Sequence, residues 1–238
     1  MAIELPQPVV DFLQVIGINW PQVNEDKVRE FATHVQEFAS NIEDTHGQVN
    51  STLQDLGQSY QGKSYELLIS KWAALSQNHM TGLLDACKVV AVALDGAADA
   101  IVGLKLEAIG ELVAMAAAFV ADQAAAVVTF GLSEAALPLI EEGAEKLMEF
   151  AEQQIEQYII GQILNAALKP LIAKMEGTVE GLLIKAESSV LGVSAGPSFS
   201  VDLEQLDTHA EMMRGHAETI SGHVSSFTSN VRGLDFSS

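Results

Sequence analysis

Three histidines at seven-residue intervals, His209, His216 and His223, have the spacing that most suggests chemistry. Seven residues are about two helical turns, so the three imidazoles would lie on one helix face about 10 Å apart. That distance is too long for two rings to share one zinc ion. Two interpretations stay open: a switch that responds to protonation near about pH 6, and a half-exposed neutral stripe with no such role.

No other group of residues has the pattern of a known catalytic or metal site. The chain lacks a phosphate-binding glycine loop, a His-Glu-x-x-His helix and a nucleophile elbow. Its single cysteine, Cys87, excludes an internal disulfide and a thiolate cluster; it is either a small buried apolar residue or a reactive thiol. We therefore predict a protein that is not an enzyme and has no cofactor or bound metal.

The charge of the chain excludes one class of partner. It has 12 Lys and Arg residues against 32 Asp and Glu residues, which gives a formal net charge of −20. Proteins that bind nucleic acid need basic residues to neutralise phosphates, and proteins that bind anionic lipid need them for the same reason. We predict no nucleic-acid partner and no electrostatic attraction to a membrane surface.

Two long segments have the apolar periodicity of helices. Asn24 or Asp26 can cap the first, which is predicted to run to about Leu56. Apolar residues at steps of three and four define its inner face: Val28, Phe31, Val35, Phe38, Ile42, Val49, Leu53 and Leu56. They resume in the second segment at Tyr65, Leu68, Trp72 and Leu75. The pattern predicts an antiparallel hairpin of two long helices.

The second helix is predicted to continue far beyond the hairpin. No proline occurs between Pro21 and Pro138, so nothing in that interval must break a helix. The helical pattern extends towards Phe130, with interruptions expected near Asp95-Gly96 and near Gly103.

The turn of the hairpin reads Tyr60-Gln61-Gly62. An aromatic-x-Gly turn between heptad-patterned helices resembles the WXG-motif family, the small helical-hairpin proteins exported by type VII secretion systems of Gram-positive bacteria. Tyr60 stands where the family has Trp. The Trp-Pro pair at Trp20 is similar to the start of the longer WXG-like amino-terminal regions of secreted polymorphic toxins. Residues of interest for contacts at the hairpin are therefore Tyr60, Gly62, Tyr65 and Trp72, with Trp20 at its entry.

The resemblance implies export without a cleaved leader. The amino terminus has no basic region ahead of an apolar stretch, so no Sec-type signal is predicted. The protein is then secreted by the type VII route, or resides in the cytoplasm before export. None of the three tyrosines has an acidic residue four positions later, which is the usual export signal of the family. The resemblance therefore implies a small helical WXG-type or EspC-like partner, in addition to the secretion machinery.

The carboxy-terminal segment has the most regular periodicity of the chain. Its apolar residues alternate steps of three and four, which predicts a coiled-coil seam: Leu203, Leu206, Ala210, Met213, Ala217, Ile220, Val224, Phe227, Val231 and Leu234. Asp202 or Ser200 can cap this helix. The segment resembles EspC-like helical proteins, and we expect it to pack back on the hairpin.

These elements predict an all-α fold, an elongated helical bundle built on a long antiparallel hairpin with further helices packed against it. The expected organisation is a WXG-like hairpin with an apolar extension over 1–130, a central helical segment over 131–190, a linker over 191–200 and the heptad helix over 201–238. The resemblance to the WXG-motif family implies the function of a non-enzymatic type VII secretion substrate or toxin-delivery module that acts through helical contacts.

Two other functions remain as alternatives. Residues 112–132 are almost entirely apolar and about as long as the ~20 residues that span a bilayer, so a membrane-active protein could insert them. Asp122 at the centre of that segment disfavours insertion by about 2.5 to 3.5 kcal/mol. A helix buried inside a bundle has the same composition. The second alternative is an intracellular helical scaffold.

Overall fold

The structure is a computed structural model that describes residues 3–20, 23–128, 137–158 and 200–236, with positions 161, 165, 169–170 and 173. It confirms the all-α fold. The helices are α1 (Gln7–Ile16), α2 (Glu25–Ser59), α3 (Lys63–Leu75), α4 (Thr81–Val128), α5 (Leu137–Tyr158) and α6 (Leu203–Arg232). A π-helical turn (Ser76–Met80) joins α3 to α4, and two short strands, β1 (Tyr60–Gln61) and β2 (Ser200–Val201), pair with each other.

Asn24 caps α2, which settles the choice between the two predicted caps. Its side-chain Oδ1 accepts hydrogen bonds from the backbone N–H groups of Asp26 (3.1 Å) and Lys27 (3.2 Å). Glu25 and Asp26 occupy the first turn, where a negative charge interacts favourably with the helix dipole.

The predicted interruptions of α4 near Asp95-Gly96 and Gly103 are wrong, because the helix is continuous through them. Both glycines lie on its exposed face, while Leu94, Ile101 and their neighbours on the opposite face are buried. A glycine inside a helix costs about 1 kcal/mol relative to alanine, which such packing offsets. The irregular turn lies earlier, at Ser76–Met80.

The described residues divide into two compact units. The first comprises those within 1–30, 93–164 and 235–238. Its core joins α1 to the middle of α4 and to α5 through buried side chains: Val9, Phe12, Leu13, Ala108, Leu112, Ala116, Ala144, Met148 and Ala151. Trp20 is half-buried and packs against this core.

A fully buried ion pair reinforces the first unit. Lys105 Nζ lies 2.8 Å from Glu25 Oε2 and also donates a hydrogen bond to the carbonyl oxygen of Val23. The other carboxylate oxygen of Glu25 accepts from the N–H of Ile3. Burial alone would raise the pKa of Glu25, but Lys105 and the backbone N–H donors together lower it. These bonds hold residue 3, the start of α2 and the middle of α4 at one point.

The second unit comprises the described residues within 31–92 and 165–234. Val49, Leu53 and Leu56 of α2 form a core against which side chains of the turn, of α3 and of α6 pack. Further along α2, the ring of Phe38 stacks on Phe227 of α6 at 4.9 Å. As expected, α6 packs back on the hairpin.

The face of α6 that contacts α2 differs from the predicted seam. The row of Leu206, Met213, Ile220 and Phe227 is half-buried. In the other predicted row, Leu203 is 72% exposed and Ala217 and Val224 are also exposed, whereas Ala210 and Val231 are half-buried. His216 and His223, which were not part of the predicted seam, form hydrogen bonds with α2, and His209 of the same row is buried.

Several predictions concern segments that are only partly described. Helix α5 covers 137–158 of the predicted central segment; apart from the isolated positions, the remainder lies outside the described residues, as does the predicted linker except Ser200. In the apolar 112–132 segment the helix is described up to Val128. A search of the described residues for a helix with the length and apolar character to cross a bilayer found none.

Candidate functional site

The hairpin turn depends on the backbone conformation of Gly62. Its φ of 150° and ψ of 172° belong to a region that residues with a Cβ atom rarely adopt. In this conformation its carbonyl oxygen accepts hydrogen bonds from the N–H groups of Tyr65 (3.0 Å) and Glu66 (3.2 Å), which start α3. A glycine at this position therefore permits α3 to begin immediately after α2 and β1.

Tyr65 fixes the distance between α3 and α2. Its hydroxyl donates a 2.9 Å hydrogen bond to the carbonyl oxygen of Leu53, and its ring meets that of Tyr60 edge-on at 6.4 Å. The tip of the ring lies against Gly57, where an added Cβ atom would be well inside van der Waals contact of Tyr65 Oη. Gly57 thus forms the socket for Tyr65, a role that the sequence pattern did not indicate.

Trp72 forms a second contact between α3 and α2. Its Nε1–H donates a 2.6 Å hydrogen bond to Asn50 Oδ1, and its ring stacks on His46 at 5.5 Å. Nε2 of His46 lies 2.7 Å from Ser76 Oγ. Burial lowers the pKa of His46, although the nearby charge of Glu43 acts in the opposite direction. The neutral imidazole is therefore the form that this contact stabilises.

The chain closes the turn with its own segment before α6. Tyr60 pairs with Val201 and Gln61 with Ser200 in antiparallel register, and Asp202 donates its N–H to the carbonyl oxygen of Ser59 at 3.1 Å. The carboxylate of Asp202 also caps α6, because it accepts from the N–H groups of two residues in the first turn of that helix. We call this arrangement of 59–61 and 200–202 the β-clamp.

Two of the three regularly spaced histidines bind threonines of α2. His216 Nε2 and Thr52 Oγ1 lie 3.0 Å apart, and the same distance separates His223 Nε2 from Thr45 Oγ1. Each threonine donates its only hydroxyl proton to a carbonyl oxygen one turn earlier in α2. The hydroxyl oxygen is then left to accept the Nε2–H of the histidine, which fixes the position of that proton.

His209 is placed differently. It is buried, and its Nδ1 lies 2.6 Å from the carbonyl oxygen of Gln205, so Nδ1 carries the proton that it donates. His216 and His223 therefore lie on the face of α6 that contacts α2, whereas the hydrogen bond of the buried His209 is made within α6. Among the described residues, no group of three or more His, Cys, Asp or Glu side chains is arranged to hold a metal ion.

The structure brings together four of the five residues selected from the sequence. Tyr60, Gly62 and Tyr65 lie at the turn and Trp72 packs further along the hairpin against the same core, whereas Trp20 belongs to the core of the first unit. Cys87 is buried, and burial raises the pKa of its thiol to about 11, which is inconsistent with a reactive thiolate at neutral pH. The residues selected at the hairpin therefore set how its helices pack, and the buried thiol of Cys87 adds no reactive group.

Comparison with protein families agrees with this geometry. The model of the WXG100 like domain matches residues 4–139, which is more than half of the chain and includes the whole helical hairpin with its turn. Comparison with curated proteins and with solved structures found no match. The chain belongs to the WXG100-like family.

Proposed function

We propose that this protein is a non-enzymatic substrate or delivery module of a type VII secretion system, and that it acts through contacts between helices. Membership of the WXG100-like family relates this helical protein to type VII secretion. The observation that best supports the proposal is the intact hairpin, in which Gly62 sets the turn and Tyr65 and Trp72 seat α3 on α2.

The β-clamp and α6 support a more specific form of the proposal. Helix α6 packs along the face of α2 with the β-clamp at one end and Phe38 stacked on Phe227 further along. In this proposal, α6 supplies within the chain a helix that a separate partner supplies to smaller hairpin proteins. The hairpin then leaves the cell already covered on that face.

A second chain is still part of the proposal, because no export signal of the family's usual form occurs in the sequence. A small helical WXG-type or EspC-like partner would carry that signal. Tyr65 and Trp72 are engaged within the chain. On α3 Leu67 and Leu68 are exposed apolar side chains that such a partner could contact; the apolar periodicity predicted Leu68 on the packed face, where Ile69 lies instead.

Quantitative proteomics of the culture supernatant tests the proposal directly. The native host is compared with a strain that lacks the type VII secretion ATPase, and we expect this protein to disappear from the medium of the second strain. Equal amounts in both media, or none in either, would refute export by this route. The mass of the exported species distinguishes a cargo that acts alone from a region that delivers an attached toxin.

A variant of the turn tests whether the hairpin geometry matters for export. Gly62→Val cannot adopt the φ of 150° without strain, whereas Gly47→Ala changes an exposed glycine of the same hairpin that has open space around it. We expect export to be lost in the first variant and retained in the second, at equal amounts of protein inside the cell. Export of both variants at the normal level would show that the secretion machinery does not require this turn geometry.

A further inference from the structure

Helix α4 is apolar on two faces in the first unit. One face is buried in the core, through Ile101, Ala108 and Leu112 among others. The side of α4 away from this core would be expected to be polar, because a surface helix normally presents its polar side to water. It instead carries a row of exposed large apolar side chains: Leu106 is 56% exposed, Val113 45% and Val120 64%.

A row of small residues runs beside these large side chains. Gly103, Gly110 and Ala117 are exposed and follow each other at the same seven-residue interval. A Cβ atom added to Gly103 or Gly110 would have no other heavy atom within 4 Å, so the space over this row is open. We call the two rows together, Leu106, Val113, Val120, Gly103, Gly110 and Ala117, the outer stripe of α4.

The two rows have the shape that close packing of helices requires. Large side chains of one helix form a ridge, and glycines at helical spacing allow the backbone of another helix to come near. Glycine inside a helix is otherwise unfavourable. Gly103 and Gly110 bring no benefit to the isolated chain that the structure shows, since no side chain of the described residues fills the space above them.

The border of the outer stripe is acidic. Glu107 and Glu111 are exposed along it, and Asp99 continues the large row and pairs with Arg29 at 2.8 Å. Lys146 of α5 lines the same surface pocket as Glu107 and Glu111, but its ammonium group pairs with Glu142 at 2.6 Å. Lys105 is the only basic residue between positions 93 and 121, and it is buried in the ion pair with Glu25. A second copy of this chain, or an anionic bilayer, would bring like charges together at this border.

We propose that the outer stripe of α4 binds a helix of another protein, whose contact face is apolar and which carries Lys or Arg beside that face. The large row packs against the partner helix, the small row admits its backbone, and the acidic border selects its charge. This proposal does not depend on secretion, because the outer stripe is separate from the turn and its β-clamp.

Photo-cross-linking in the native host tests the proposal on the full chain. A benzoylphenylalanine replaces Val113 in the outer stripe and, in a control, replaces the exposed Glu145 on α5. We expect a protein adduct at Val113 that is absent at Glu145. Mass spectrometry of the linked peptide should identify a helix with apolar residues at steps of three and four and with Lys or Arg next to them.

Changes in the small row separate binding from folding. Gly103→Ala/Gly110→Ala should raise the Tm, because alanine favours helix where the space is open, yet it should reduce the adduct because a partner backbone can no longer approach. Gly47→Ala, an exposed glycine in α2, should raise the Tm and leave the adduct unchanged. Reversing the border with Glu107→Lys/Glu111→Lys should reduce the adduct about tenfold.

Other outcomes would overturn the proposal. An adduct with lipid or with a second copy of this chain would mean that another occupant covers the outer stripe. A linked peptide without basic residues would contradict the charge selection. An adduct at Val113 no stronger than the adduct at Glu145, or one that is unchanged when Gly103 and Gly110 become alanine, would show that the outer stripe is not a binding surface.

Discussion

Substitution of Gly57 by alanine tests whether the socket for Tyr65 sets the geometry of the hairpin. A Cβ atom at this position would overlap the Oη and Cζ atoms of Tyr65. The ring cannot rotate away at no cost, because its hydroxyl donates to the carbonyl oxygen of Leu53 at 2.9 Å. Either α3 moves away from α2 or Tyr65 leaves its site.

Three contributions determine how much Gly57→Ala changes the free energy of unfolding. Alanine favours a helix over glycine by about 1 kcal/mol, which stabilises the variant. Overpacking costs about 1 to 3 kcal/mol, and loss of the hydrogen bond from Tyr65 to Leu53 costs about 1 kcal/mol more. Gly57→Ala should therefore lower the free energy of unfolding by about 1 to 3 kcal/mol.

Gly47 provides a matched control in the same helix. A Cβ atom there meets no other heavy atom within 4 Å, so Gly47→Ala should gain the helix preference alone, about 1 kcal/mol. The two variants make the same chemical change in α2 and should differ in stability by about 2 to 4 kcal/mol.

Urea denaturation followed by far-UV circular dichroism measures this difference. The same pair of variants is then made with Tyr65→Ala, which removes the atoms that meet the new methyl group. In that background Gly57→Ala should become as favourable as Gly47→Ala. Equal stability of the two variants with Tyr65 present, or a cost of Gly57→Ala that persists without it, would refute the socket.

Three further substitutions have predicted effects on stability. Lys105→Met leaves the buried carboxylate of Glu25 unpaired and should cost about 3 to 5 kcal/mol in denaturant titration, whereas adding Glu25→Gln should recover part of that cost. Because burial lowers the pKa of His46, the contribution of this residue to the free energy of unfolding is complete above the ordinary histidine pKa and declines as pH falls. In His46→Gln the free energy of unfolding should therefore fall less between about pH 7 and about pH 5. Asp202→Ala should lower the Tm through loss of about 1 kcal/mol of capping, and Asp202→Asn should not.

The long helices could be predicted from the sequence because local pattern determines them. Apolar residues at helical spacing predicted α2 closely, and Asp202 was one of the two caps predicted for α6. The continuity of α4 was not predicted, because glycine lowers the helical preference locally while the packing that compensates comes from distant segments. Local preference is informative only where tertiary contacts do not outweigh it.

The contacts at the candidate site were harder to predict. The β-clamp joins two strands of two residues each, which are too short to produce a periodic pattern. The contact face of α6 was predicted from apolar residues alone, but His216 and His223 bind Thr52 and Thr45 across 164 and 178 residues of sequence. A histidine is apolar enough to be buried once such a partner satisfies its N–H, and hydropathy does not detect the partner.

Burial in the core explains only some of the apolar residues of α4, because others are exposed. A helix that is apolar on every side belongs to a core or to a membrane. Here Leu112 is buried against α1 and α5, while Val113, which points about 100° away around the helix, is exposed. The core therefore accounts for one face of α4, and a helix docked on the outer stripe would account for the other. The acidic border makes a basic partner helix a better match for that face than a lipid bilayer, whose apolar interior would have to receive those carboxylates.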